Sequence, residues 1–153
     1  YYHFASKEDL VREVLRISAA STFDAARAAV AALPDEACFE DRLAAAIAAH
    51  LDELLGHADY TSADLRIVNQ VPDDVRRDVL PIRRDYADYW DGLLEDALKR
   101  GELRSDTSTA MVRLFLIGAL NWTVEWYNPQ KGPFQDFVKQ ITAIVFDGTF
   151  VHD

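Results

Sequence analysis

Between residues 107 and 127 the chain is apolar nearly all round: Met111, Val112, Leu114, Phe115, Leu116, Ile117, Ala119, Leu120, Trp122, Val124 and Trp126. Ser105 and Asp106 precede this run and Asn128-Pro129 closes it, so the stretch predicts one helix. A helix that is hydrophobic on every face must be buried on every face. In a domain of 153 residues one face can cover the core of its own subunit, and the other needs a partner chain. Gly118 and Ala119 would let a second helix approach closely. Arg113 and Asn121 interrupt the run, which is too short to span a bilayer.

Helical signals account for the rest. From Lys7 to about Leu33 the pattern is helical, with Leu10, Val14, Ile17 and Ser21 on one stripe and Pro34-Asp35 as the stop. A second helix is predicted over residues 39–57, its apolar line being Leu43, Ile47, Leu51 and Leu54. A short helix over 62–71 follows. Pro72, Asp73 and Asp74 open the longest helix, where proline loses no needed bond and acids suit the positive end of the dipole. Val75, Val79, Ile82, Tyr86, Tyr89, Trp90, Leu93 and Ala97 keep its period. Pro81 predicts a kink or break, and Gly101 after Lys99 and Arg100 predicts the end. The last helix covers 134–150 after the turn Lys131-Gly132-Pro133 and carries Phe137, Ile141, Ile144, Val145 and Gly148. No strand pattern or repeat appears, so the fold class is all-α.

Composition narrows the chemistry. The formal net charge is −10. Over residues 1–16 the charges cancel: Lys7, Arg12 and Arg16 against Glu8, Asp9 and Glu13. The acid excess therefore lies in the body, which repels nucleic acid. The single cysteine, Cys38, excludes an internal disulfide and suits a reducing compartment. No signal peptide opens the chain, and a cytoplasmic location without membrane attachment is expected. His50, Glu53 and His57 share a helix face, and metal binding there is weighed against a solvated face with His50 in a pocket or core. No metal or cofactor is expected. Arg76, Arg77, Arg83 and Arg84 form a local basic patch, read as pairing with Asp73, Asp74, Asp78 and Asp88 or as a seat for anionic groups. No nucleophile–base spacing, glycine-rich phosphate loop or paired-cysteine motif is visible, so an enzyme is not expected.

The opening stretch is Tyr1-Tyr2-His3-Phe4-Ala5-Ser6-Lys7-Glu8-Asp9-Leu10. Ser6 stands where it can cap a helix, with Glu8 and Asp9 in the first turn. This run resembles the junction between the helix-turn-helix head and the body in the TetR family of transcriptional repressors. The resemblance implies that residues 1–5 are a remnant of the DNA-binding domain, the rest of which precedes this chain. Residues 6–153 would be the effector-binding and dimerisation domain. It further implies that Tyr2, His3 and Lys7 contact DNA phosphates, which set register without reading bases. The helix from Lys7 would carry a ligand signal to the head.

The last two helices are similar to the family's dimer-forming pair, a four-helix bundle in the dimer. That implies an interface of Leu116, Gly118, Ala119, Thr123, Tyr127, Phe137, Ile141 and Val145. The run from Gly118 to Pro129 resembles a subgroup that represses fatty-acid and steroid degradation and responds to acyl-CoA thioesters. It implies a homodimer that releases operator DNA on binding a hydrophobic or acyl-CoA effector. The effector pocket would be lined by Arg66, Tyr86, Trp90, Phe115, Asn121, Trp122 and Trp126, with Arg66, Arg83 or Arg84 meeting the CoA phosphates. The alternatives are a helical dimerisation or scaffold module without a ligand, and an all-helical enzyme.

Overall fold

A computed structural model of the chain describes residues 4–56, 67 and 70–149. Among these the architecture is all-α. Five helices follow one another: α1 (Lys7–Ala31), α2 (Phe39–Gly56), α3 (Asp73–Lys99), α4 (Thr109–Trp122) and α5 (Phe134–Thr149). Single 3-10 turns lie at Thr123–Glu125 and Pro129–Lys131. The helix expected over 62–71 lies largely outside the described residues.

Local chemistry sets the ends. The Ser6 hydroxyl accepts from the Asp9 backbone N–H at 3.0 Å and starts α1. Phe39 N–H at the start of α2 donates to the Glu102 carboxylate at 2.9 Å, a cap supplied from 63 residues away. At the end of α3, Gly101 N–H donates to Leu98 C=O and Glu102 N–H to Ala97 C=O. This is the paired closure in which the residue after the cap turns left-handed. Gly101 takes φ +74° there, a conformation that disfavours a side chain even though the space around it is open.

The main core joins α2, α3, α4 and α5. Leu43, Ile47 and Leu51 meet Trp90, Leu94 and Ala97, with Leu116, Leu120, Val138 and Phe146 behind them. The expected α2 line is therefore the buried one. A second core holds Leu15 of α1 against Val71, Val75 and Val79. Arg12 also ties α1 to the start of α3, with 2.7 Å to Asp74 and 2.9 Å to Asp78. Among the described residues no helix is long and apolar enough to cross a membrane.

Four expectations need correction. On α1, Leu10 and Ile17 are exposed, while Leu15, Ala26 and Val30 are buried with Val11 and Ala19 beside them. Apolar residues occur on both sides of its first half, and the partner surface of α3 decides which side is covered. Of the kink or break expected at Pro81 the break does not occur, since α3 is continuous from Asp73 to Lys99 with Pro81 inside it. Proline removes one ladder bond, but Pro81 is exposed, so water can reach the freed carbonyl, and packing of Val79 and Trp90 holds both flanks. α4 begins at Thr109, capped by Ser108, because that hydroxyl reaches the Met111 N–H. It also ends early, at Trp122, as a 3-10 turn takes over.

Leu94→Ala should destabilise the fold by about 2–5 kcal/mol, since Leu94 is fully enclosed in the main core. Urea unfolding followed by circular dichroism checks this, and a loss well under 1 kcal/mol would contradict the packing described.

Candidate functional site

Four helices converge on one cavity. α1 supplies Ser18, Ala19 and Thr22, and α2 supplies His50 and Leu54. α3 supplies Arg83, Tyr86, Ala87 and Trp90, and α4 supplies Arg113, Ile117 and Asn121. The residues fall at helical spacings of three and four, so each helix turns one narrow stripe inward. The space amounts to about 140 Å³. Small-molecule sites typically run to roughly 300–1,000 Å³. The cavity as it stands therefore suits a group about the size of benzene, and a larger ligand has to part the helices or extend through the mouth.

A chain of hydrogen bonds crosses the cavity wall. His50 is 2% exposed. Its Nε2 lies 3.1 Å from Asn121 Oδ1 and its Nδ1 lies 2.9 Å from the Tyr86 hydroxyl. With the Asn121 carbonyl facing the ring, Nε2–H donates to it, and Nδ1 accepts the Tyr86 O–H. One neutral tautomer satisfies both bonds and links α2, α3 and α4. Burial pushes the His50 pKa down to about 4, which the bond to Asn121 opposes only in part. Burial also raises the Tyr86 phenol well above its ordinary value, so it is a hydroxyl donor at neutral pH. The Trp90 indole N–H pulls weakly the other way by its nearness to that oxygen. The contact falls short of a hydrogen bond, and Trp90 Nε1 is buried without an acceptor among the described residues.

Charge sits at the solvent side. Arg113 is partly exposed and its Nε donates to Asp91 at 2.7 Å. Arg83 is also half-buried in the lining. Glu53 accepts the Ser21 hydroxyl at 2.6 Å, binding α1 to α2 close to the cavity. The metal alternative raised for His50, Glu53 and His57 thus finds His50 and Glu53 engaged by other side chains, and His57 lies outside the described residues. Among the described residues no cluster of metal-ligating side chains occurs.

Of the pocket residues expected from sequence, Tyr86, Trp90 and Asn121 line this cavity. Phe115, Trp122 and Trp126 do not: Phe115 is 81% and Trp122 65% exposed, and Trp126 is also open to solvent. They lie on the outer side of α4 and its 3-10 extension, as the 100° turn per residue requires once Leu116 and Leu120 point inward. Arg66 lies outside the described residues. The residues expected at the interface divide likewise. Leu116 and Thr123 are 3% and 1% exposed, buried in their own subunit, where the Thr123 hydroxyl donates to Leu120 C=O. Gly118 and Ala119 are exposed, and Tyr127, Phe137, Ile141 and Val145 are half-buried. Tyr2 and His3 lie outside the described residues, and Lys7 is exposed at the first position of α1.

Sequence reasoning missed the contribution of α1 and of Arg113. The signals were present: small or polar Ser18, Ala19 and Thr22 on an inner stripe, and one arginine in an otherwise apolar helix.

Residues 36–149 match the family described as tetracyclin repressor-like, C-terminal domain. The chain is 28% identical over 149 residues to the HTH-type transcriptional repressor KstR2 of Rhodococcus jostii (strain RHA1), covering 97% of this chain and 72% of that one. The structure of ketosteroid transcriptional regulator KstR2 of Mycobacterium tuberculosis superposes with a TM-score of 0.80 at 25% identity, over 99% of this chain and 77% of that one. The TetR family regulator PfmR of Thermus thermophilus gives 0.82 at 17% identity, over 96% and 79%.

Stability should fall on acidification. His50 binds a proton in the unfolded chain below its ordinary pKa near 6.5, but in the folded chain only near 4. Its contribution is thus complete above pH 6.5 and is lost as pH falls toward 4, by about 3 kcal/mol. Urea midpoints measured between pH 7 and pH 4 should show this slope, and His50→Gln should flatten it. An equal slope in the variant would contradict the assignment to His50.

Proposed function

Because the chain belongs to the family of tetracycline-repressor-like C-terminal domains, we propose that it is the effector-binding and dimerisation body of a ligand-released repressor, and that the four-helix cavity is its effector site. The carrying observation is that the middle of α1, through Ser18, Ala19 and Thr22, forms one wall of that cavity, while Arg12, nearer its N-terminus, fastens it to α3 through Asp74 and Asp78. A ligand that parts α3 from α1 at the cavity acts on the same helix pair that Arg12 fastens. On the family resemblance, α1 leads toward a helix-turn-helix head in the region of Tyr2, His3 and Lys7, so its tilt sets the distance between two heads on a palindromic operator. Exposed Phe4, Leu10 and Ile17 on this end are suited to pack against such a head.

The proposed dimer uses the outer faces of α4 and α5. Met111, Leu114, Phe115, Gly118, Ala119 and Trp122 face outward on α4, and Ile144 does so on α5. Two-fold pairing of such a face is the commonest form of assembly. It moves the interface by part of a turn from the residues first expected, with Phe115 and Trp122 taking the places given to Leu116 and Thr123. The cell compartment for an operator-binding protein of this kind is the cytoplasm.

For the effector, an apolar molecule, and an acyl-CoA thioester in particular, fits the lining. Ala19, Leu54, Ala87, Trp90 and Ile117 give the lining apolar surface, Ser18 and Thr22 add hydroxyls beside the His50 bridge, and Arg83 and Arg113 in the same lining would supply the cations that a phosphate-bearing head needs. The similar KstR2 of Mycobacterium tuberculosis is a ketosteroid transcriptional regulator, which supports an apolar effector. Release follows only if the effector binds the non-matching conformer more tightly than the matching one.

The test is a gel shift using protein that carries its head and a duplex which that protein selects. A chain-length series of acyl-CoAs should weaken the complex by about 5- to 150-fold, the usual size of such coupling. Arg12→Ala should keep acyl-CoA affinity but diminish the release. If no acyl-CoA or free acid alters operator binding, the acyl-CoA reading fails. If in addition no small molecule binds the body, a dimerisation module without a ligand replaces it.

A further inference from the structure

The charge in the cavity wall is one-sided. The chain carries a net charge of −10, yet the charged side chains of the lining are Arg83 and Arg113, with no carboxylate among the described lining residues. An oxyanion can leave water at small cost only where cations or N–H donors meet it. The neutral groups of the wall do not discriminate. The Ser18 hydroxyl and the Asn121 amide can serve a charged oxygen or an uncharged one, and Thr22 spends its proton on Ser18 C=O. The arginines therefore decide the class of ligand, and Arg113 has the open edge. Its Nε donates to Asp91 at 2.7 Å, which fixes the guanidinium from one side. Its two terminal nitrogens make no hydrogen bond among the described residues and, unlike the Trp90 indole nitrogen, keep accessible surface. That Nη1–Nη2 edge matches the paired oxygens of a carboxylate or phosphate. Asp91 offsets much of the Arg113 charge at long range, so the preference for an anion rests on bonds made at contact. Arg83 adds a second positive charge to the lining, with its Nε buried.

We propose that the terminal nitrogens of Arg113 receive an oxyanion, a carboxylate or a phosphate, on an otherwise apolar effector, while Asp91 keeps the Nε. This rests on the reading of the cavity as the effector site. It adds that the effector is an amphiphilic anion whose charge is read by one residue, and it gives the ligand a direction. Arg113, Ile117 and Asn121 follow one another at four-residue spacing on one stripe of α4. The anion stays at the partly exposed Arg113, and the apolar body runs past Ile117 toward Asn121. A space of about 140 Å³ takes one ring of such a body.

The test uses four probes with one ring each, at pH 7: benzoate, phenylphosphonate, benzamide and toluene. Affinities are measured by titration calorimetry of the chain. Proton–nitrogen correlation spectra place each probe through the ring-current shift of the Trp90 indole signal, which is identified with W122F and W126F. The tighter of the two anions should bind about tenfold more strongly than benzamide, as charge-assisted bonds imply. Benzoate as the tighter anion assigns the effector's charge to a carboxylate on the apolar body, and phenylphosphonate assigns it to a phosphate-bearing head. Arg113→Met should abolish the preference for the anion and leave toluene affinity unchanged, which also shows that the variant folds. The Arg113 Nε–H signal, identified by its loss in that variant, should shift with the anion and not with benzamide. The wild-type preference decides the matter even if Arg113→Met does not fold. If benzamide and toluene shift the Trp90 signal and bind as tightly as both anions, the oxyanion assignment is overturned while the effector cavity stands. The same holds if Arg113→Met keeps the preference. If none of the four shifts the Trp90 signal, the cavity reading and this inference fall together.

Discussion

The fold depends on α4 being apolar on two opposite sides. Its inner side, Leu116 and Leu120, closes the main core, and Ile117 and Asn121 next to them close the cavity. Its outer side leaves Met111, Leu114, Phe115 and Trp122 in water. Each large apolar side chain of that kind forgoes about 1.5–3 kcal/mol of burial free energy. Surface this size on a short helix is what a second copy would cover, and Gly118 offers open space for a close approach. On the proposed reading one helix thus serves as cavity wall and as dimer seam, so a ligand and a partner act on the same element.

How much of this was legible in the sequence follows from how helices reveal their orientation. α2 was legible because its polar residues, Glu40, Asp41, Asp52 and Glu53, leave one apolar line, and that line is the buried one. The caps at Ser6 and Gly101 were legible because each has a specific chemical cause. The rotation of α4 was not. A helix with no polar face has nothing in its own sequence to say which side meets its own core. The sequence reading turns the aromatics Phe115 and Trp122 inward and Leu116 and Thr123 outward, and the structure reverses both. α1 shows the same ambiguity in its first half, where Leu10 and Ile17 compete with Val11 and Leu15. The cavity itself was half legible: Tyr86, Trp90 and Asn121 carry polar groups at apolar spacings, but the wall from α1 depends on tertiary packing that no local pattern encodes.

The site is built around neutrality. His50 is held uncharged by burial, and its two nitrogens are used in opposite senses. That arrangement ties three helices through a single uncharged ring, with Arg83 and Arg113 as the cations in the same lining. One of these helices, α3, is also fastened to α1 through Arg12, Asp74 and Asp78. Both carboxylates of those ion pairs are solvent-exposed while Arg12 is half-buried, so solvent screens each pair and its worth as stability is small. Their proposed role is geometric, keeping the end of α1 in step with α3 when the cavity changes volume.

The most direct test is the state of association of the chain alone. Sedimentation equilibrium at micromolar concentration should give the mass of two chains, and Phe115→Arg should convert it to one chain with helix content intact. A wild-type chain that sediments as a single 17.3 kDa species would contradict the account, because α4 would then keep its outer face in water.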